Sequence, residues 1–441
     1  MTKPLVALVG RPNVGKSTLY NRIVGERVAI VEDVAGTTRD RLYADADWSG
    51  RHFTLIDTGG LEITPGSDLA RRVREQAELA IREADVVVFL VDSREGITPE
   101  DADIAALLRQ TEKPVVLAAN KADNEQRRLN AVEFYQLGLG EVMPISALHG
   151  TGTGDLLDEI IAHLPPPEPE AELGGVGVAI VGRPNVGKSS LLNRILGQER
   201  AIVSAAPGTT RDVIDTAVEH KGQRLVLLDT AGIRRRGRIG AGVEKYSVIR
   251  ALRAIDRSDV VFLVLDAVEG ITAQDTHLAG YIRDAYKGIG ILVSKWDLVS
   301  PKTNRTVPEF TARIRDEFNF VPYAPILFTS AKTGRGVDQI LDLALDIWER
   351  RNARVPTAGL NDLVQEAVAA HAPVSMRGRR LKVYYVTQAS VNPPTFVFFV
   401  NDPKLLHFSY ERYLENRLRE SLDFQGTPLR LLFRPRAEQS P

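Results

Sequence analysis

The chain has 441 residues, 44% hydrophobic and 26% charged, with no cysteine and a formal net charge of −1. That length allows about three domains of ordinary soluble composition, and the lack of any apolar run of about 18 residues excludes a membrane-spanning helix. Zero cysteines exclude disulfides and thiolate chemistry and fit a cytoplasmic protein, and Met1-Thr2-Lys3-Pro4 leads into apolar residues with no signal-peptide pattern.

From the N-terminus, residues 5–9 read as a short apolar strand and 18–24 as a helix. Between them runs Gly10-Arg11-Pro12-Asn13-Val14-Gly15-Lys16-Ser17. These eight residues fit G-x-x-x-x-G-K-[ST], a loop whose backbone N–H groups wrap phosphate oxygens at a helix N-terminus. Lys16 is placed to reach β/γ-phosphates and Ser17 to hold Mg²⁺. Apolar runs follow at 53–56, 86–91, 115–119 and 142–145, separated by helical patterns such as 69–83 and 102–109. Strands alternating with helices predict an α/β domain over 1–164, a mostly parallel sheet covered on both faces. The Pro- and Glu-rich stretch 165–175 reads as a semi-rigid linker.

The grammar then repeats. After a strand at 176–181, Gly182-Arg183-Pro184-Asn185-Val186-Gly187-Lys188-Ser189 duplicates the first loop letter for letter, and a helix is expected over 190–196. Thr38 maps to Thr210 and Asp57 to Asp229 at the same offset, so the repeat is a whole domain. Further strands fall at 225–228, 260–265, 289–293 and 326–328, and a closing helix at 337–350 ends a second α/β domain over 176–351. Residues 352–441 change pattern: helix 360–370, strands 381–387 and 395–400, helix 405–422 and strand 429–433 predict a small α+β layer. From Arg350 to the C-terminus Lys and Arg exceed Asp and Glu by six, leaving −7 for the rest. A basic module on an acidic body points to a polyanionic partner, with an ordinary solvated surface as the alternative.

The residues beyond each loop narrow the ligand. Asp57-Thr58-Gly59-Gly60-Leu61 and Asp229-Thr230-Ala231-Gly232-Ile233 close strands; the Asp belongs beside a Mg²⁺ shell, and the backbone N–H of Gly60 or Gly232 is free to bond a γ-phosphate. Asn120-Lys121-Ala122-Asp123 ends a strand too, and a carboxylate there accepts two N–H bonds from the guanine edge, which adenine cannot offer. Ser146-Ala147-Leu148 backs the base with a main-chain N–H. The second copy has Ser294-Lys295-Trp296-Asp297 and Ser330-Ala331-Lys332, so Asp297 keeps guanine preference while Ser294 replaces the Asn and is expected to weaken binding about tenfold or less. Both copies carry Gly-Thr-Thr-Arg-Asp, at 36–40 and 208–212, in which Thr38 and Thr210 are candidates to close on Mg²⁺ and γ-phosphate in the triphosphate state only. Which threonine of each pair ligates stays open.

This order of motifs resembles the small-GTPase family of phosphate-loop proteins. Ras-like proteins place Gln immediately after the Asp-x-x-Gly; here Leu61 and Ile233 cannot orient water, so unaided turnover should be slow, on the order of 10⁻³ s⁻¹. An apolar residue there with an Asn in the phosphate loop resembles the potassium-activated GTPases, whose implied K⁺ site uses that Asn, here Asn13 and Asn185; a plain turn residue is the other reading. Arg234, Arg235, Arg236 and Arg238 follow the second Asp-x-x-Gly and could couple nucleotide state to a phosphate-rich partner, or form a solvated loop.

Taken over nearly the whole chain, the duplicated GRPNVGKS, GTTRD, DTGGL/DTAGI and NKAD motifs with the terminal module resemble the EngA/Der family of double-domain GTPases of bacterial ribosome assembly. That resemblance implies two tandem P-loop GTPase domains plus a C-terminal KH-like α+β domain, GTP/GDP as substrate and product, Mg²⁺, and late maturation of the large (50S) ribosomal subunit. It also implies that nucleotide state governs domain packing and rRNA binding, in a protein expected to be monomeric and away from membranes. Arg377, Arg379, Arg380 and Lys382 lie before Tyr384 and Tyr385, and basic groups near aromatics suit phosphate contact and base stacking. Since the two tyrosines alternate along a strand, one is expected in the core, and no GXXG clamp exists after Gly336. Two other readings are a tRNA-modification GTPase, disfavoured by the absence of the Cys motif that group carries, and a nucleotide-gated scaffold with one non-hydrolysing site.

Overall fold

Strand β1 (Leu5–Val9) sends Val6 and Leu8 into one hydrophobic cluster and Ala7 and Val9 into another. A strand buried on both faces must be apolar throughout, which is why the central strands are legible as unbroken runs. The computed structural model describes residues 3–25, 43–57, 78, 81, 84–166, 173–198, 215–229, 247–373 and 379–435. It divides into two units, Met1–Glu170 and Ala171–Pro441.

The first unit holds a six-stranded sheet in the order β2-β3-β1-β4-β5-β6, with β2 at Tyr43–Trp48, β3 at Arg51–Asp57, β4 at Val86–Asp92, β5 at Val115–Asn120 and β6 at Val142–Pro144. Every pair is parallel except β2 with β3. Helices α1 (Lys16–Gly25), α2 (Pro99–Leu108), α3 (Glu125–Asn130) and α4 (Thr153–His163) connect them. Leu19 of α1 and Leu156 of α4 pack on one face, Ile104 and Leu108 of α2 on the other. The expected helix at 69–83 lies almost wholly outside the described residues.

The second unit repeats this with order β12-β11-β10-β7-β9-β8, where β7 is Val176–Val181, β8 Thr216–His220, β9 Gln223–Leu227, β10 Val260–Asp266, β11 Gly288–Ser294 and β12 Ile326–Phe328. Its helices are α5 (Lys188–Gln198), α6 (Ser247–Arg257), α7 (Ala273–Asp284), α8 (Thr306–Glu317) and α9 (Gln339–Arg351). Edge strands β2 and β8 are absent from the sequence expectation because they are half polar. The readable signal was the turn: Ser49-Gly50 and Lys221-Gly222 take positive φ at both residues, the type I′ hairpin geometry.

The same unit ends in a three-stranded sheet, β13 (Val383–Val391) antiparallel to β14 (Pro394–Val400), which runs parallel to β15 (Arg430–Pro435). Helices α10 (Thr357–Ala370) and α11 (Phe408–Ser421) cover one face through Leu360, Val364, Leu414 and Leu418. The expected helix from 405 starts later because Asp402 and His407 cap separate turns, accepting from the N–H of Lys404 and of Ser409. This layer is bonded to the six-stranded sheet of its own unit: Ile289 N–H donates to Gly426 O (2.7 Å), Gly426 N–H donates to Tyr323 O (2.8 Å), and the buried Arg351 donates to Asn392 Oδ1 (2.7 Å). Gly426 has φ +74°, and a Cβ there would sit 2.6 Å from Ile347, so this joint requires glycine. No helix among the described residues is long and apolar enough to cross a membrane.

In both six-stranded sheets the strand order reverses at the strand feeding the Gly-rich loop, since β1 lies between β3 and β4 and β7 between β9 and β10. Such a switch point opens a crevice at the carboxyl ends of the strands, where α/β sheets bind ligands.

Candidate functional site

The loop after β1 closes into α1 at Lys16, with Leu19 N–H donating to Gly15 O (3.0 Å). Gly10 has φ +154° with Leu90 O where a Cβ would go, and Gly15 has φ +98° with the Asn120 amide there. Only glycine fits either place, so the loop can wrap closely with its N–H groups turned to the crevice. Lys16, 7% exposed, donates from Nζ to Gly10 O (2.8 Å) and Arg11 O (2.9 Å). Burial draws its pKa below the usual lysine value. Lys188 makes the same bonds to Gly182 O (2.7 Å) and Arg183 O. A buried ammonium held on carbonyls at a helix mouth is a preformed anion site.

Next to it, the Ser17 hydroxyl donates to Asp57 Oδ2 at 2.6 Å. A hydroxyl beside a carboxylate is the hard-oxygen pair that Mg²⁺ prefers, the rest of its shell coming from water and phosphate. No cluster of three His, Asp or Glu suited to a metal cage exists among the described residues. In the second copy Asp229 takes φ +55° and its N–H donates to Asp215 Oδ1 (3.1 Å), Asp215 being paired with Arg257. Asn13 and Asn185 both adopt positive φ (66° and 62°), exposed at the loop tip, and neither carboxamide has a hydrogen-bond partner among the described residues.

The base side is tied to the phosphate side by one residue. Asn120 donates from Nδ2 to Val14 O (2.8 Å) and accepts from Ala147 N–H at Oδ1 (2.9 Å), joining loop, β5 end and the Ser146-Ala147-Leu148 turn. Lys121 (φ +63°) bridges Asn13 O and Asp92 Oδ2, both at 2.6 Å. Asp123 Oδ2 accepts from Arg94 (2.6 Å) and Arg127 (3.0 Å), and Oδ1 accepts from Ser146 Oγ (2.7 Å). The Arg94 bond, then that of Ser146, holds its carboxyl below the usual range. Asp297 accepts from Ser330 Oγ (2.6 Å) and is likewise lowered. Ala122 is buried, and Trp296 turns into the core against Phe310 and Phe328, so these motif positions present backbone rather than side chain. Leu148 and Lys332, the third residues of the two Ser-Ala turns, are exposed.

Ser294 keeps half of the asparagine's work. Its hydroxyl bonds to Val186 O (2.5 Å), but no bond reaches Ala331 N–H among the described residues. A Cβ on Gly187 would lie 3.7 Å from Ser294, which leaves room for a carboxamide. Ser294→Asn is expected to tighten GDP at the second site by up to about tenfold through the restored bond to Ala331; equal affinity in titration calorimetry refutes this.

The loop arginines face away from the crevice. Arg11 binds Glu95 (2.7 Å) and the fully buried Asp101 (3.3 Å), and Arg183 binds Glu269 (3.1 Å), Asp275 (2.9 Å) and Gly270 O (3.0 Å). Asp101 and Asp275 each complete a capping box with Thr98 or Thr272 at the start of α2 or α7. Burial pushes both carboxyls up. Sequence reasoning missed Asp92 and Asp266, Asp101 and Asp275, and Arg94, which Val268 replaces in the second copy; for Asp101 and Asp275 the Thr-x-x-Asp capping signature before each helix was the available clue.

Pro12, Val14, Pro184, Val186 and Gly187 lie in the loops as expected, and Ser189 lies in the first turn of α5. Thr38, Thr58, Gly59, Gly60, Leu61, Thr210, Thr230, Ala231, Gly232, Ile233, Arg234, Arg235, Arg236, Arg238 and Arg377 lie outside the described residues. Arg379, Arg380 and Lys382 are exposed at the entry to β13. Tyr384 and Tyr385 are both 42% exposed, against the expectation that one is core. The register shift between Val383 and Tyr385 breaks simple alternation there.

Comparison with known proteins follows the same outline. A family model described as "50S ribosome-binding GTPase" matches residues 5–121 and 177–295, and one described as "KH-domain-like of EngA bacterial GTPase enzymes, C-terminal" matches 354–434. The chain is 55% identical to GTPase Der of Chloroflexus aggregans, covering 99% of each chain, and 55% identical to GTPase Der of Moorella thermoacetica, covering 98% of this chain and 99% of that one. Among solved structures it resembles Era in complex with MgGDPNP and nucleotides 1506–1542 of 16S ribosomal RNA, at 22% identity and TM-score 0.31, over 60% of this chain and 94% of that one.

Proposed function

The chain belongs to the EngA/Der family of GTPases, and from that premise we propose that it hydrolyses GTP at two sites, whose nucleotide state controls its binding to the large ribosomal subunit during late maturation. The observation that carries this reading is the buried lysine held on loop carbonyls, joined through Asn120 to a base-side carboxylate in one copy and repeated in the other. Lys16 and Lys188 grip the β/γ-phosphates, the loop N–H groups hold their oxygens, and Asp123 and Asp297 select guanine. Ser17 and Asp57, and Ser189 and Asp229, with Thr38 and Thr210, would hold Mg²⁺, which would neutralise phosphate charge. Gly60 and Gly232 offer backbone N–H groups to the γ-phosphate. Leu61 and Ile233 offer no group to orient water, and Asn13 and Asn185 would each hold a K⁺ that would supply positive charge at the phosphates in place of an arginine. Hydrolysis is expected to be several-fold faster in K⁺ than in Na⁺, with the difference lost in Asn13→Ala plus Asn185→Ala; identical rates in both salts refute it.

The division 1–164, 165–175, 176–351 and 352–441 assigns catalysis to the two α/β domains and RNA contact to the last, through Arg377, Arg379, Arg380 and Lys382, with Arg234, Arg235, Arg236 and Arg238 as the nucleotide-sensitive link. Sedimentation with purified large subunits in GDP and in a non-hydrolysable GTP analogue tests the whole. Association that depends on the nucleotide is expected; failure to associate in either state removes the ribosomal half.

A further inference from the structure

One face of the three-stranded sheet is covered by α10 and α11 and takes Val386, Phe396, Phe398, Leu431 and Phe433. On the opposite face the register lines up Tyr385, Phe399 and Arg434 in a single row across all three strands. The Tyr385 and Phe399 rings are stacked, centroids 4.4 Å apart and 7° from parallel. Tyr385 is 42% exposed, Phe399 half-buried and Arg434 exposed, with no ion pair to Arg434 among the described residues. In the next row, Thr387, Val397 and Leu432, Val397 is buried at 7% exposure, so the open surface is the Tyr385 row itself.

We infer that this row is a base-stacking site for single-stranded RNA, an inference that rests on the ribosomal reading above and adds where and how the RNA is held. Stacking two aromatic rings in the open leaves one broad π-face toward solvent, and an unpaired base extends that stack. Duplex RNA, whose bases are already stacked on one another, has no ring to offer. The charge agrees. None of the three strands contains an Asp or Glu, and Arg434 lies exposed on β15, whereas Arg430 is held over the Tyr286 ring, 5.6 Å from its centroid. Lys382 meets the far end of β14, its N–H donating to Asn401 Oδ1 (2.8 Å), and Asn401 donates to Arg380 O (3.0 Å). Arg380 and Lys382, beside an Arg379 that pairs with Asp402 (3.4 Å), therefore stand at the same end of the sheet as the stacked row, where they can hold the phosphates of a strand whose base lies on Tyr385. A KH-type clamp needs a GXXG loop, and this module has none; the sheet face offers a different route to the same class of ligand.

The test uses the full chain with fluorescein-labelled decaadenylate and with a ten-base-pair RNA duplex as probes, followed by anisotropy across a salt series. Tyr385→Ala is expected to weaken decaadenylate binding about tenfold to a hundredfold and leave duplex binding unchanged. Tyr385→Trp should keep wild-type affinity, while Tyr385→Leu, with apolar bulk but no ring, should behave as alanine. Arg434→Ala should reduce the salt slope by about one. Leucine binding like wild type would assign the surface to an apolar peptide and overturn the inference. So would an unaffected Tyr385→Ala; if the wild type still sediments with large subunits, the ribosomal reading survives that result. Wild type binding neither the oligonucleotide nor the subunits would end both.

Discussion

Replacing Lys16 by alanine is expected to erase one of two guanine-nucleotide binding events and leave the other intact. The ammonium sits at the mouth of α1 on the carbonyls of Gly10 and Arg11, so no rearrangement is needed before it meets a phosphate. Charge-assisted bonds to two phosphate oxygens contribute about 1.5–3 kcal/mol each, which sets the loss at roughly 10²–10⁴ in affinity at that site. Hydrolysis at the altered site should fall at least about a hundredfold further, because the same charge faces the γ-phosphate as it departs. Stability should move the other way. Burial lowers the Lys16 pKa, so its charge is a burden on the nucleotide-free fold, present at every pH below that lowered value. Alanine should therefore leave the nucleotide-free melting temperature unchanged or raise it, which separates a binding defect from misfolding. Lys188→Ala should do the same at the other loop. Calorimetry with GDP on the two single variants and the double variant checks the set. Two residual sites in either single variant would overturn the assignment, and one silent variant in the hydrolysis assay would mark a scaffold site rather than a catalytic one.

Local chemistry was readable wherever a motif carries its own geometry. Gly10, Gly15, Lys16 and Asn120 sit where spacing put them, because each is fixed within a strand–loop–helix unit. The fold class was readable for the same reason, since strands buried on both faces announce themselves as apolar runs. What escaped depends on distant partners. Nothing near Arg11 says that its guanidinium reaches ninety residues ahead to Asp101, or that Asp123 is held by Arg94. Trp296 occupies a nucleotide-site motif position in sequence, yet packing on Phe310 and Phe328 takes its ring into the core. Tyr384 and Tyr385 misled because one irregularity in an edge strand overrides period-two alternation. Edge strands β2 and β8, solvated on one side, lack the apolar run that marked their neighbours.

Exchanging Asp123 for asparagine is expected to turn the first site from guanine toward xanthine. On the proposed reading the carboxylate would accept from the N1–H and the 2-amino group of guanine; an asparagine would keep one acceptor and present an NH₂ where the base also presents one. Two charge-assisted bonds are lost and two donors are opposed, so GDP affinity should fall by about 10³ or more. Xanthine has an oxygen in place of the amino group, which the new NH₂ can satisfy, and XDP should then bind more tightly than GDP. The fold should tolerate the change. Ser146 Oγ can still donate to the remaining oxygen, while Arg94 and Arg127 lose an acceptor at a partly exposed position, where such pairs contribute little. At the second site Asp297 has Ser330 as its hydrogen-bonding side chain and no ion pair with arginine among the described residues, so Asp297→Asn should switch the base with less disturbance of its neighbours. Each single variant should bind one equivalent of GDP and one of XDP, since the sites read the base independently. Unchanged GDP binding at the altered site would mean that the carboxylate does not contact the base there, and the guanine assignment would fall with it.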